Sequence, residues 1–244
     1  MYFELYKDKF EIANTKICSQ TFGVLDEPSV GVSVGLGPDL NHGYEPGALT
    51  FGGAHTGRFE GDLIKRPLVK DELGTFGPSV VLSKLGQTAP NGTTYEYDIP
   101  EGDDVLTIDS GNQFFRLRHS FVDPLFRDLG AVNDGNDAYF VPCSKVNDTG
   151  TWDFHFGEAT VKVPYKNIIT DITDDSGENC FVGVLTTWKG QLRLGQPFMQ
   201  AAYLSFDYDN RVVGMAQSAD CEGQLVPFTS GPNAIPKLSG CKAK

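Results

Sequence analysis

The chain has 244 residues and a formal net charge of −12, with 20 lysines and arginines against 32 aspartates and glutamates. That length suits one large β domain or two small lobes. The acidic excess argues against nucleic acid or an anionic membrane surface as a partner, and no run reaches the ~20 apolar residues of a membrane helix.

The first third of the chain predicts β-strands. Its opening, Met1-Tyr2-Phe3-Glu4, has neither the basic start nor the apolar centre of a signal peptide, so we expect the chain to begin inside a domain. Residues 2–25 alternate well enough for two short strands with a turn at Asn14-Thr15. The glycine-containing stretch at 32–37 lacks the spacing and the following helix of a dinucleotide-binding loop. Residues 48–69 and 80–98 indicate further strands.

Residues 105–115 combine an apolar, β-branched run with an acidic turn, Asp109-Ser110-Gly111. The run predicts a central strand buried on both faces, which places a carboxylate at the end of a core strand. Burying a carboxylate without partners is costly, so Asp109 is either satisfied by the amides of a turn or used in chemistry. On Asp-Ser-Gly alone, an Asx-type turn that closes the strand is the simpler interpretation.

The second half of the chain predicts helices between strands. A helix is expected over residues 121–129, with Ser120 as its cap and Gly130 as its stop. Residues 152–163 alternate as a strand pair, with Trp152 on one face and Asp153 on the other. A short helix at 197–203 should lead into a strand that ends at a solvent turn. The tail from residue 220 is rich in Pro, Gly and Ser, which suits an ordered wrap or a loose end.

Five groups of motifs occur in a fixed order along the chain. They are residues 46–63, residues 105–115, Val141-Pro142-Cys143 with Cys180, residues 192–198, and residues 202–210. In this order and at about these separations, they resemble the second half of the pepsin-like aspartic endopeptidases, most closely the fungal secreted ones. The resemblance covers residues 46–217, with a weaker match before it.

The resemblance implies an all-β, pepsin-like acid protease fold. Residues 70–244 correspond to the second, C-terminal lobe with its tail, and residues 1–69 to a remnant of the first lobe with the strands that join the lobes. Such enzymes need two lobes, each of which supplies one catalytic aspartate. This chain is short by about one lobe.

The resemblance makes Asp109 the second catalytic aspartate. Ser110, Gly111 and Asn112 complete its loop, and Leu194 and Gly195 belong to the motif that supports the loop from behind. Asn112 departs from the family pattern, which has threonine or serine there, although an amide can also donate to the carboxylate. The resemblance implies a polypeptide substrate and no cofactor. The four histidines lack ligand spacing, so no metal site is expected.

The partner of Asp109 is missing from the sequence. The other Asp-Thr-Gly, at 148–150, has no apolar strand before it and is predicted to be a coincidental turn. Three hypotheses follow: a truncated protease that is inactive alone, a homodimer in which two copies of Asp109 form the catalytic pair, or a non-catalytic module that binds peptides or proteins. The remaining first-lobe strands would occupy the place where a second copy should dock, which weighs against the dimer.

The cysteines and sequons point to the secretory pathway. The resemblance implies a disulfide between Cys143 and Cys180, and hence an oxidising compartment. Cys221 and Cys241 bracket the tail and could pair, which leaves Cys18 as the odd cysteine of five. Asn91 and Asn147 each begin a glycosylation sequon. We therefore expect the full-length form to be secreted or vacuolar.

Overall fold

The computed structural model describes residues 3–12, 15–25 and 49–242. The chain divides into two compact units, Met1–Val34 and Gly35–Lys244. In the first unit, β1 (Phe3–Ile12) pairs antiparallel with β2 (Thr15–Leu25), as the alternation predicts. Asn14 and the stretch at 32–37 lie outside the described residues. The domain boundary predicted at residue 69 stays a prediction.

The described part of the second unit is built mainly of strands, which confirms the predicted all-β class. The strands are β3 (Gly53–His55), β4 (Phe59–Pro67), β5 (Val69–Lys70), β6 (Phe76–Val81), β7 (Lys84–Thr88), β8 (Thr94–Tyr97), β9 (Val105–Ile108), β10 (Phe115–Arg118), β11 (Val132–Asn133), β12 (Tyr139–Pro142), β13 (Thr151–Phe156), β14 (Ala159–Pro164), β15 (Ile169–Thr173), β16 (Asn179–Val182), β17 (Val184–Thr187), β18 (Leu192–Leu194), β19 (Ala202–Asp207), β20 (Val212–Ser218) and β21 (Leu225–Pro227). The helices described are α1 (His119–Leu129), α2 (Tyr165–Ile168) and α3 (Gln196–Ala201), with 3-10 turns at Thr56–Arg58 and Cys143–Asn147.

The strand that precedes Asp109 lies in the interior of a six-stranded sheet, whose order is β17-β10-β18-β9-β6-β5. β9 pairs parallel with β18 and antiparallel with β6, while β10 pairs parallel with β17. Smaller sheets surround this one, in the orders β14-β13-β7-β8, β11-β12-β16-β15, β19-β20-β4 and β21-β3. The parallel pairs bring the ends of β9 and β18 to one edge of the sheet, where the candidate site lies.

The main hydrophobic core packs α1 and the β13–β14 hairpin against the six-stranded sheet. Its centre is aromatic: Phe115 stacks on Phe154 with ring centroids 5.4 Å apart, and Phe126 lies 6.3 Å from Trp152. All four side chains are at most 2 % exposed. Burial of such large apolar groups is the dominant favourable contribution to folding, so this core stabilises the sheet that carries the site.

The helix predicted at 121–129 begins two residues earlier than expected. Arg118, the last residue of β10, is its N-cap, and it makes no side-chain capping hydrogen bond. The predicted cap, Ser120, therefore lies inside the first turn. The reason is that β10 continues directly into α1, where His119 is already buried. The C-terminal prediction is confirmed, because Gly130 adopts a left-handed φ of 74°.

The β13–β14 hairpin confirms the alternation read from residues 152–163, and it buries one charged side chain. Asp153 is 6 % exposed. Its carboxylate accepts hydrogen bonds of 2.6 Å from the hydroxyls of Thr88 and Thr151. These partners offset the cost of burying the carboxylate.

The tail is an ordered wrap. β21 pairs antiparallel with β3, and the end of the tail bridges to β4 at Glu60 and Asp62. It covers a second, smaller core of Phe59, Leu63, Ala216 and Ile235.

Candidate active site

β9 carries the chain to the candidate site. Leu106 and Ile108 are buried, whereas Thr107 points to the opposite face and lies within hydrogen-bond distance of Ser79, with their hydroxyl oxygens 2.8 Å apart. The prediction that this strand is buried on both faces is therefore wrong, since its outer face is only half covered. Because strand side chains alternate, Asp109 follows on the same face as Thr107.

The Asp109 carboxylate is held by its own loop. The backbone N–H of Gly111 donates to Oδ1 over 2.9 Å, and the side-chain amide of Asn112 donates to Oδ2 over 2.6 Å. The first bond is the Asx turn that the sequence suggests. The second shows that an amide at position 112 does donate to the carboxylate.

Leu194 and Gly195 lie directly behind this loop. The backbone N–H of Asp109 donates to the carbonyl of Leu194 over 2.9 Å, and Gln196 donates to the carbonyl of Asn112 over 2.8 Å. A Cβ at Gly195 would lie 2.1 Å from the carbonyl oxygen of Phe114. Only glycine permits so close an approach of two backbones. The sequence motif at 194–195 is thus brought to the loop that it was predicted to support.

Arg193 contacts the candidate carboxylate, a feature that the sequence interpretation missed. Its Nη1 donates to Oδ2 of Asp109, and its Nη2 donates to Oε1 of Gln191 over 2.9 Å. The Arg193 side chain is 31 % exposed and that of Asp109 is 21 % exposed, so the pair is partly shielded from water. A signal was present in the sequence. An arginine between Leu192 and Leu194 in a short buried strand must point to the opposite face, although only the pairing of β18 with β9 places Asp109 there.

Comparison with known proteins identifies the family. Residues 33–218 match the family described as eukaryotic aspartyl protease. The chain belongs to this family. An aspartic-type endopeptidase OPSB of Arthroderma otae, named as probable, is 27% identical over 209 residues, which cover 80% of this chain and 43% of that protein. An acid protease of Saccharomycopsis fibuligera is 27% identical over 180 residues, which cover 70% of this chain and 43% of that protein.

The aspartyl protease relatives are longer than this chain. The secreted aspartic protease 7 of Candida albicans is 31% identical over 142 residues, which cover 56% of this chain and 24% of that protein. The chain thus matches less than half the length of each of these relatives. The resemblance to pepsin-like endopeptidases read from the motifs is confirmed at the level of the family.

The other Asp-Thr-Gly of this chain lies on a different element. Asp148 ends the 3-10 turn that begins at Cys143, and Thr149 is exposed. A Cβ at Gly150 would lie 2.3 Å from the ring of Tyr165, so the glycine is explained by packing. Ser110, in contrast, is exposed beside Asp109.

The described residues form two disulfides, Cys143–Cys180 and Cys221–Cys241. The first ties the 3-10 turn to β16, and the second closes the tail. Asn91 and Asn147 are both exposed, and their glycosylation stays a prediction.

Within the described ranges, no group of three or more His, Cys, Asp or Glu side chains is arranged to hold a metal ion. Over the same residues, no helix has the length and apolar character needed to cross a membrane.

Proposed function

We propose that this chain supplies the second half of a pepsin-like aspartic endopeptidase, with Asp109 as one of its two catalytic aspartates. One observation carries the proposal: the Asp109 carboxylate stands at the end of β9, held by Gly111 and Asn112, with Leu194-Gly195 behind the loop. Ser110, Gly111, Asn112, Leu194 and Gly195 act as the support of this loop.

The proposed chemistry needs two carboxyl groups. Held about 3 Å apart, they cannot both ionise, so they share one proton and titrate as a pair. The charged member takes a proton from the attacking water, and the protonated member polarises the carbonyl of the scissile peptide. Among the described residues, the groups that hydrogen-bond the Asp109 carboxylate are all N–H donors. The chain by itself is therefore expected to be inactive.

The proposed substrate is a polypeptide, and the proposed location of the full-length form is the secretory pathway or the vacuole. Two disulfides support this location, because such bonds persist in oxidising compartments. A relative named as a secreted aspartic protease supports it as well.

A second candidate function is a non-catalytic peptide- or protein-binding homologue. The contact between Arg193 and Asp109 favours it, because the guanidinium already occupies a position beside the carboxylate that a second carboxyl group would have to approach. A homodimer of two Asp109 sites is disfavoured for the same reason.

Acid proteolysis tests the proposal. The purified chain is incubated in acid with a denatured protein, with and without an aspartyl-protease inhibitor, and its mass is followed by sedimentation at several concentrations. We expect no inhibitor-sensitive cleavage at any concentration, since one carboxyl group cannot complete the chemistry. Inhibitor-sensitive cleavage that rises with a dimer fraction would instead support the homodimer. Cleavage by a monomer that Asp109→Asn leaves intact would refute the role of Asp109.

A further inference from the structure

The six-stranded sheet packs one face on the main core, and its opposite face, here called the outer face, is open on two of its strands. Arg116 of β10 and Leu185 of β17 are register partners, and both follow a buried residue in their strands, so they project from the outer face. Leu185 is 48 % exposed and Arg116 is exposed as well. Ser79 of β6, on the same face, is buried. The open part of the outer face therefore lies on β10 and β17.

Strand register places Arg116 next to the candidate active site. Arg116 lies directly opposite Arg193 in the antiparallel pairing of β10 with β18, and Arg193 lies opposite Thr107 on β9. Side chains that face each other in this way are about 5 Å apart from one strand to the next. Arg193 is also the residue that contacts the Asp109 carboxylate. A group bound to Arg116 would thus lie one strand away from the arginine of the site.

Arg116 differs from the other two arginines of the outer face in having no acidic partner. Arg193 contacts the candidate carboxylate, and Arg118 donates to Asp103 over 2.9 Å and to Glu72 over 3.2 Å. Within the part of the chain that the structure describes, no side chain forms a hydrogen bond or an ion pair with the guanidinium of Arg116. Like charges directly opposite each other destabilise an antiparallel pair. An anion supplied from outside the chain is therefore favoured at Arg116.

We propose that the open part of the outer face binds an extended peptide, in which Arg116 selects an acidic side chain. The inference rests on the proposed function, because it takes a polypeptide as the occupant, in keeping with membership of the aspartyl protease family. A guanidinium carries a permanent charge, and its planar set of N–H donors fits a carboxylate in a bidentate pair. Leu185 offers the same peptide an apolar contact beside this charge. Arg116 is thus a specificity determinant for glutamate or aspartate.

Direct binding to the purified chain tests the proposal without any need for proteolysis. The probes are two dye-labelled octapeptides of serine, threonine and two leucines, identical except for a central glutamate or glutamine. Fluorescence anisotropy, extended by NMR titration to weak binding, gives both dissociation constants at low salt and about pH 6.5, where the glutamate of a peptide is ionised. We expect the glutamate peptide to bind about fivefold more tightly, the upper end of the effect of an exposed ion pair.

Three substitutions assign the preference to the outer face. Arg116→Gln should make the two peptides bind equally, whereas Arg116→Lys, which keeps the charge and loses the planar donor set, should retain part of the preference. Leu185→Ser should weaken both peptides and leave the ratio of their dissociation constants unchanged. Arg127→Gln is the matched control, because it removes the same charge from an exposed position on α1, which packs on the core side of the sheet. It should leave the preference intact.

Equal binding of the two peptides to the unaltered chain would overturn the proposal, and so would the absence of binding by either peptide up to its solubility limit. A preference that survives in Arg116→Gln, or that Arg127→Gln also abolishes, would refute the role of Arg116. Sedimentation without peptide tests a second copy of the chain as the occupant: self-association that Arg116→Gln abolishes, without a preference between the peptides, would replace the proposal.

Circular dichroism and intact disulfides verify the fold of each variant, and the comparison of the two peptides on the unaltered chain needs no variant. Failure of the proteolytic function would leave these dissociation constants unaffected. Equal binding of the two peptides would, in turn, leave the proposed role of Asp109 standing, so the two proposals fail independently.

Discussion

At the residue scale, Gly195 determines how closely two backbone segments approach. Its Cα faces the carbonyls of Phe114 and Asn112, and a Cβ there would lie 2.1 and 2.7 Å from their oxygens. Real Cβ atoms do not tolerate such distances from backbone, so any side chain would displace the loop that holds Asp109. The glycine therefore belongs to the site although it carries no chemical group.

Gly195→Ala should lower the free energy of unfolding by about 3 kcal/mol, because the clash is with backbone that cannot rotate away. Urea denaturation measures the change. Gly77→Ala in β6 is the matched control, since a Cβ there has no atom within 4 Å. It should change stability by less than about 0.5 kcal/mol. Equal effects of the two substitutions would show that the close packing at Gly195 is not a constraint.

Single residues also show what a sequence can reveal about a site. The sequence identified Asp109, Asn112 and Gly195, because each stands at a defined place in one of the motifs that occur in a fixed order along the chain. Arg193 belongs to the same motif stretch, but its contact with Asp109 depends on the parallel register of β9 and β18. Strand pairing between residues 84 positions apart cannot be read from local pattern.

At the element scale, the turn between β15 and β16 depends on one carboxylate. Asp174 accepts hydrogen bonds from the side chains of Asn179, over 2.8 Å, and Ser176, over 2.7 Å. These two bonds lower the pKa of Asp174 from 3.8 to about 2, and the bond from Asn179 has the larger effect. The folded state therefore releases this proton more readily than the unfolded chain, and the group stabilises the fold once it is ionised.

Asp174→Asn should lower the melting temperature above pH 4, where the wild-type carboxylate is ionised in both states. Because the pKa is depressed in the folded state, this stabilisation is lost as pH falls from about 4 through about 2, and the variant should then approach the wild type. Melting curves across this range test the prediction. Asp175→Asn is the control, as the exposed neighbour that does not accept the hydrogen bonds of the turn. A difference between Asp174→Asn and wild type that stays constant down to pH 2 would contradict it.

Elements were predicted more reliably than their ends. The helix at 119–129 was found from its apolar face and its terminal glycine, but its start was missed because β10 continues into α1 without a linker. No local capping signal marks a boundary that tertiary packing of His119 decides.

At the scale of the whole molecule, the described part of the second unit has two cores. The larger supports the six-stranded sheet and the Asp109 loop, and the smaller lies under the tail. The sequence indicated the all-β class and the family, since both depend on motifs in order. The sequence left open whether the tail packs in an ordered way around the domain or forms a loose end. That outcome depends on bridges to β4 and on the Cys221–Cys241 disulfide, all of which join residues that lie far apart in the sequence.

The central claim is that Asp109 is one of the two catalytic aspartates, and a chimera tests it most directly. In the acid protease of Saccharomycopsis fibuligera, the stretch that aligns with this chain is replaced by this chain's residues, so that the rest of that protein supplies the other half. Inhibitor-sensitive cleavage of a denatured protein in acid is then measured for three forms: unaltered, Asp109→Asn and Asp148→Asn. Loss of a catalytic carboxylate costs at least about a thousandfold in rate in such machinery. We predict that loss for Asp109→Asn and near-normal activity for Asp148→Asn; a chimera that remains active with Asp109→Asn, or that Asp148→Asn inactivates, would contradict the claim.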